Sequence, residues 1–219
     1  MEKVTGSRSR LSSRRNARVI LLLLLALGIF CGAGWMFLNK GLYLLPDKMC
    51  EGTLERNTVQ QLLPRTRSAD SGSDIRGSGG DLAFWCHVTT SDRSAVSGEA
   101  KVRPVSRAQW LDYYQNSGTR KIMRVSMGDM QALAQIDPGE TTSSVYVPCE
   151  PSGVPAYKGS QPYAVVGEAR VDGSAGLTGV PLHQALTDFA YRLTEHAYKL
   201  AGCKAHRDFP ERLPRYGGR

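Results

Sequence analysis

Residues 19–38 form one apolar run without a charged side chain, and no other feature limits so firmly how this chain is organised. As a helix, these 20 residues would rise roughly 30 Å, the thickness of a hydrocarbon core. The segment before it, residues 1–18, carries Lys3, Arg8, Arg10, Arg14, Arg15 and Arg18 against Glu2 alone, while only Lys40 closes the far end. By the positive-inside rule this flank stays in the cytoplasm and everything after about Asn39 lies outside. We therefore expect a signal-anchor: a single-pass membrane helix over residues 19–38, with the C-terminal part extracytoplasmic.

Three other export signals fit less well. A cleavable signal peptide has a shorter apolar core and a small-x-small exit, whereas Cys31-Gly32-Ala33-Gly34 leads back into bulky Trp35-Met36-Phe37. Cys31 as a lipidated cysteine is opposed by Phe30 beside it. Ser13-Arg14-Arg15 has the look of a twin-arginine signal, but Arg18 sits where an apolar residue belongs.

The basic pI near 9.4 reflects topology more than ligand. Of the net +8, from 28 basic and 20 acidic residues, residues 1–18 supply 6 − 1 = +5, leaving 22 − 19 = +3 beyond them. An exported part that is nearly balanced shows no nucleic-acid footprint. The exported stretch is long enough for one domain with a core of its own.

Cysteine usage agrees with export. Cys50, Cys86, Cys149 and Cys203 form an even set beyond the apolar run, which is the pattern of two disulfides in an oxidising compartment. Of the three connectivities we favour Cys50 with Cys86 and Cys149 with Cys203, because each pair stays within one half of the chain. No Cys-x-x-Cys or His-x-His spacing suggests a metal, and no cofactor motif is present.

Along the exported chain, residues 39–48 read as a stalk. Thr53 can then cap a helix carrying Leu54, Val59, Leu62 and Leu63 that stops at Pro64. Residues 65–80, rich in Ser, Gly, Asp and Arg, read as a flexible loop. A hairpin follows, from Leu82 to Thr90 and from Ala95 to Val105, and Ser106 can cap a short helix through Trp110, Tyr113 and Tyr114. The second half offers strands at residues 122–125, 145–149 and 163–171. Pro181 to Ala201 is the clearest helix, with Leu182, Leu186, Phe189, Leu193 and Ala197 on one face. Residues 204–219 read as a disordered basic tail. Gly98-Glu99-Ala100-Lys101-Val102 echoes Gly167-Glu168-Ala169-Arg170-Val171, each after a cysteine-bearing strand and before a helix, which suggests an internal pseudo-repeat.

The basic stub, the apolar run, Cys50-Glu51-Gly52-Thr53-Leu54, Leu62-Leu63-Pro64, Phe84-Trp85-Cys86-His87-Val88-Thr89-Thr90 and the helix ending Gly202-Cys203 together give a pattern. It resembles uncharacterised membrane-anchored exported proteins of actinobacteria. The resemblance spans most of the chain and implies anchoring, an envelope location and paired cysteines. It transfers no activity and no catalytic residue.

The residues with chemistry to offer are few. Glu99 and Glu168 hold equivalent places in the two echoes and would serve acid–base work or a cation if they met. His87 should face away from Cys86 across its strand. Trp85 and Trp110, with Tyr113 and Tyr114, would line a groove or fill a small core. His183 and His196 lie 13 positions apart on one helix, about 20 Å along its axis, too far to share a metal.

From residue 49 to 203 we expect an α+β domain, a four- or five-stranded antiparallel sheet covered by two or three helices and held by two disulfides. Its expected role is a non-enzymatic binding or interaction module of the cell envelope, with an envelope protein or cell-wall component as partner. The alternatives are an exported hydrolase using Glu99, Glu168 or His87, and a structural subunit of an envelope complex.

Overall fold

The computed structural model describes residues 19–32, 34, 41–116, 118–137, 139, 141–154 and 161–217, in two compact units, Met1–Lys40 and Gly41–Arg219. In the first unit, residues 19–32 are helical and exposed throughout, with Leu21 66% and Phe30 80% accessible. Those 14 residues rise about 21 Å, and no helix among the described residues is long and apolar enough to cross a membrane. The expected 20-residue span is thus not found among them. Residues 33 and 35–38 of that span, the basic segment 1–18 and residues 39–40 of the stalk lie outside the described part.

The second unit is α+β and built on one antiparallel sheet. Its strands are β3 (Ala69–Arg76), β4 (Ala83–Thr90), β5 (Ala95–Arg103), β6 (Ile122–Met127), β7 (Met130–Gln135), β8 (Thr142–Pro148) and β9 (Ala164–Asp172), in the order β3-β4-β5-β9-β8-β7-β6. Two meanders, β3 to β5 and β6 to β9, join through the antiparallel pair β5–β9. A two-residue ladder, β1 (Lys48–Met49) with β2 (Leu54–Glu55), stands apart.

Seven strands replace the expected four or five. β3 occupies the segment read as a flexible loop, and all eight of its residues pair with β4. As an edge strand it needs only backbone hydrogen bonds on one side, so its polar, glycine-containing sequence carries no apolar alternation to betray it. β7, Met-Gln-Ala-Leu-Ala-Gln, lies between the strands expected at residues 122–125 and 145–149, where the sequence indicates none. Its alanines have little intrinsic strand preference, and pairing with β6 and β8 decides its state.

Helix α3 (Gly179–Leu200) lies across one face of the sheet. Leu186, Phe189, Ala190, Leu193 and Ala197 are buried there against Phe84, Val96, Ala100, Val145 and Val165. Small residues at the sheet centre permit this approach. A Cβ on Gly98 would fall 2.3 Å from Leu193 Cδ1, and one on Gly167 would fall 2.1 Å from Thr194 Oγ1 and 2.6 Å from the Ala190 carbonyl oxygen. The short helix α1 (Arg56–Leu62) buries Val59 and Leu62 in the same core. It starts later than the capping reading places it. Leu54 and Glu55 are held in the ladder with β1, and the Thr53 hydroxyl donates to the Cys50 carbonyl.

Helix α2 (Arg107–Gln115) covers the opposite face, and only one end of it. Ser106 caps it as the sequence indicates, in a full capping box with Gln109. Trp110 and Tyr114 pack on Leu133, Tyr146, Ala164 and Val166. Since α2 and α3 sit on opposite faces, the echo of strand, strand and helix extends to the strands but not to the placement of the helices.

The disulfides are Cys50–Cys86 and Cys149–Cys203, the pairs favoured by chain order, with Cα atoms 5.6 and 5.3 Å apart. They close loops of 36 and 54 residues, and in the chain-entropy account each stabilises the domain by about 4 kcal/mol. Two further corrections concern the ends of this unit. Part of the expected stalk belongs to the core, with Leu42 and Leu45 buried. The expected disordered tail packs on α3 as far as Tyr216. Leu213 and Tyr216 are buried, Tyr191 donates to the Pro210 carbonyl at 2.7 Å, and Phe209 meets Tyr198 edge to face. Arg207 adds a fork to Asp129, with Nη2 at 2.7 Å, and these hydrogen bonds hold the Asp129 carboxyl below its ordinary range. Aromatic residues spaced along a basic segment gave too weak a periodicity to announce this packing.

Candidate functional site

Alternation along a strand sends neighbouring residues to opposite faces. In β5, Val96, Gly98, Ala100 and Val102 face α3, so Ser97, Glu99 and Lys101 face the other way. In β9, Gly167 and Ala169 face α3, so Glu168 and Arg170 emerge with them. The register then puts the two echoes directly against each other. Gly98 pairs with Ala169, Ala100 with Gly167, and Glu99 with Glu168. One antiparallel match thus places small residues beneath α3 and a carboxylate pair on the face behind them.

Neighbouring strands extend this polar row. Trp85 and His87 of β4 stand beside Glu99 and Ser97, and Thr142 and Ser144 of β8 stand beside Arg170 and Glu168. α2 covers the Ser144 end and leaves the rest open. The uncovered part is a groove of about 330 Å³ whose lining includes Trp85, His87, Ser97, Glu99, Glu168 and Arg170. Glu99, Glu168, His87 and Trp85 therefore come together, as separate sequence candidates that the register alone unites. Trp110 does not join them. It is buried under α2, with its indole Nε1 donating to Ser144 Oγ at 3.0 Å and its ring stacked near Tyr146.

Internal pairs neutralise most charges around the groove. Lys101 Nζ contacts the Glu99 carboxylate and lies 5.3 Å from the centre of the Trp85 ring. Arg76 Cζ stands 5.2 Å from the same ring and the Arg76 guanidinium pairs with Asp74 at 2.9 Å. Arg170 turns to Asp172 at 3.2 Å. Glu168 has no ion pair within salt-bridge distance among the described residues; its close neighbour is the Tyr114 hydroxyl. Behind it, the Tyr114 side chain is 3% exposed, with its hydroxyl against Glu168 and Ser144. Burial first, and then the nearby Glu168 charge, hold the Tyr114 phenol far above its ordinary range.

Lys101, Arg170 and Ser97 carried a legible signal, because they lie two residues from Glu99 or Glu168 on the same strand faces. Thr142, Ser144 and Tyr114 carried none, since only tertiary pairing brings them near. The remaining histidines are elsewhere. His196 Nε2 meets Glu51 at 2.9 Å, His183 is buried on α3, and His206 is exposed. Among the described residues no three His, Cys, Asp or Glu side chains converge as a metal shell would require. Large exposed apolar residues of this unit, such as Tyr113, Val180 and Leu200, lie on α2 and at the two ends of α3. No family model, curated protein or solved structure matches the chain.

Proposed function

We propose that the chain is a non-enzymatic binding module of the cell envelope. It is anchored by the apolar run at residues 19–38, with its N-terminus cytoplasmic and the disulfide-bonded unit extracytoplasmic, and it uses the open half of the sheet as its ligand face. The observation that carries this reading is the uncovered polar groove at the centre of a sheet whose opposite face packs under α3 and whose one end on the same face packs under α2. Support for the anchor comes from the exposed apolar surface of helical residues 19–32, which a bilayer would cover. The two disulfides suit an oxidising compartment. The likeness to exported actinobacterial proteins agrees with both. Its partner in this reading is a cell-wall component or another envelope protein.

The test is co-sedimentation of the full chain, reconstituted in nanodiscs, with purified cell wall. Binding that is lost on Trp85→Ala and kept on Tyr113→Ala, which lies outside the groove, supports this face. Equal binding by both variants would sink it. The gathering of Glu99, Glu168 and His87 favours one second reading, an exported hydrolase acting on a wall polymer. Against that stands the engagement of Glu99 by Lys101, which leaves one carboxylate of the pair tied. Release of soluble fragments from the wall, abolished by either Glu99→Gln or Glu168→Gln, would replace the binding module with an enzyme.

A further inference from the structure

The first residues of the disulfide-bonded unit are packed, not a free stalk. Gly41–Leu44 form one 3₁₀ turn, and in such a turn side chains three apart share a face. Leu42 and Leu45 are buried on that face, which turns Tyr43 and Leu44 outward, 54% and 79% accessible. Among the described residues of this unit they are the one pair of large exposed apolar side chains that adjoin in the chain. The turn is held in place. The Gly41 N–H donates to the Thr66 carbonyl at 3.0 Å, and a Cβ on Gly41 would fall 2.6 Å from the Arg67 carbonyl carbon. That contact brings Arg65 and Arg67 beside the turn, both exposed and neither with a carboxylate partner among the described residues. Other charges nearby are matched or lie elsewhere. Asp47 pairs with Arg56 at 2.6 Å, Lys48 stands across from Glu55, and Asp92 and Arg93 follow each other in the turn after β4. Asp70 shares the groove face of the sheet with Gly72 and His87.

We propose that this surface docks on the outer leaflet of the chain's own membrane, with Tyr43 and Leu44 in the headgroup layer and Arg65 and Arg67 on the phosphates of anionic lipids. The inference rests on the reading of residues 19–38 as an anchor and goes beyond it by naming the surface that meets lipid. Only Asn39 and Lys40 separate Leu38, the end of the apolar run, from Gly41. The three residue steps from Leu38 to Gly41 reach at most about 11 Å, and the headgroup layer takes about 5–8 Å of that. The gap that is left is narrower than a helix, about 10–12 Å across, so lipid and not a protein partner is the occupant. Tyrosine suits that layer, with an apolar ring and a polar tip. Each arginine at an anionic surface strengthens attachment about fivefold.

The test is nitroxide EPR on the full chain in nanodiscs of equimolar phosphatidylglycerol and phosphatidylcholine. Cys31→Ser removes the free thiol, and the label is placed on Leu44→Cys or, towards the other edge of the sheet, on Tyr113→Cys. The label at position 44 should be open to oxygen and shielded from water-soluble Ni-EDDA, and the label at position 113 should show the reverse. Arg65→Gln together with Arg67→Gln should lower the shielding at position 44 about fivefold or more, and phosphatidylcholine alone should lower it likewise. Equal Ni-EDDA access at the two positions, or shielding indifferent to both lipid charge and the arginines, would overturn the proposal. Tyr43→Trp answers the same question without a new thiol: brominated lipid should quench its added fluorescence, and an absence of quenching would count against docking. Alkaline carbonate extraction from vesicles of the same lipids separates the two levels. A chain that stays in the membrane with position 44 open to Ni-EDDA overturns this inference alone, whereas release of the chain overturns the anchor as well.

Discussion

The central pair β5–β9 has two unlike faces made from the same ten residues. Toward α3 it presents Gly98, Ala100, Gly167 and Ala169, fully buried beneath Phe189, Ala190, Leu193 and Thr194. Toward the groove it presents Glu99, Lys101, Glu168 and Arg170, all in reach of solvent. The buried face holds the polar face in place. Slipping β5 by one residue against β9 would push Glu99 under α3 and turn Gly98 outward, and slipping β9 would do the same to Glu168 and Gly167, so the packing of α3 forbids either. The carboxylates meet because the small residues behind them must.

This contrast can be broken from either side, and the largest effect lies under the helix. Phe189→Ala should cost about 3–5 kcal/mol in urea unfolding, the usual penalty for emptying a buried aromatic site; a loss below about 1 kcal/mol would mean that α3 does not form the core. Gly167→Ala should cost about 1–3 kcal/mol by overpacking. Adding Thr194→Ala should restore only part of it, since the Ala190 carbonyl oxygen also lies 2.6 Å from the new methyl. On the groove side, Glu168→Gln should stabilise the domain by about 0.2–1 kcal/mol through removal of a like-charge pair. A clear destabilisation there would make that carboxylate part of the scaffold, not a site kept for a ligand.

The smallest effect sharpens the comparison through pH. His183 is buried on α3, and desolvation holds its imidazole below the ordinary value of 6.5. The unfolded chain therefore binds this proton more readily than the folded one, so stability falls as pH drops from about 6.5 towards the lower folded value. Asp188 works the other way: burial raises its carboxyl above 3.8, so deprotonation above that value is resisted only in the fold. Comparing His183→Leu with the unaltered chain cancels the Asp188 contribution. The difference in stability between pH 7.5 and pH 5 should shrink in that variant; an unchanged difference would remove His183 as its source.

Strong periodicity made part of this molecule readable from residues alone. α3 shows an apolar stripe at three- and four-residue spacing, β4 and β5 alternate cleanly, and Ser106 marks a helix start; each element appears where those signals fall. β3, β7 and the packed residues 204–216 were unreadable for a common reason. Their state is set by partners far along the chain, the backbone of β4, the flanking β6 and β8, and the side of α3. The echo of Gly-Glu-Ala was visible as a repeat, but its meaning was not. Only the antiparallel register turns it into a glycine seat for α3 on one face and a carboxylate pair on the other.

By itself the sequence determined the apolar run with its basic flank, the α+β character, the even set of cysteines and the short roster of residues with chemistry to offer. Those are local properties, fixed by composition and spacing. The tertiary structure decided that the sheet has seven strands, that α2 and α3 take opposite faces, and that Glu99, Glu168, His87 and Trp85 share one groove while Trp110 lies in the core. The physical reason is that cross-strand neighbours are chosen by register, and register is chosen by which side chains can be buried together, a property of strand pairs that no single segment carries.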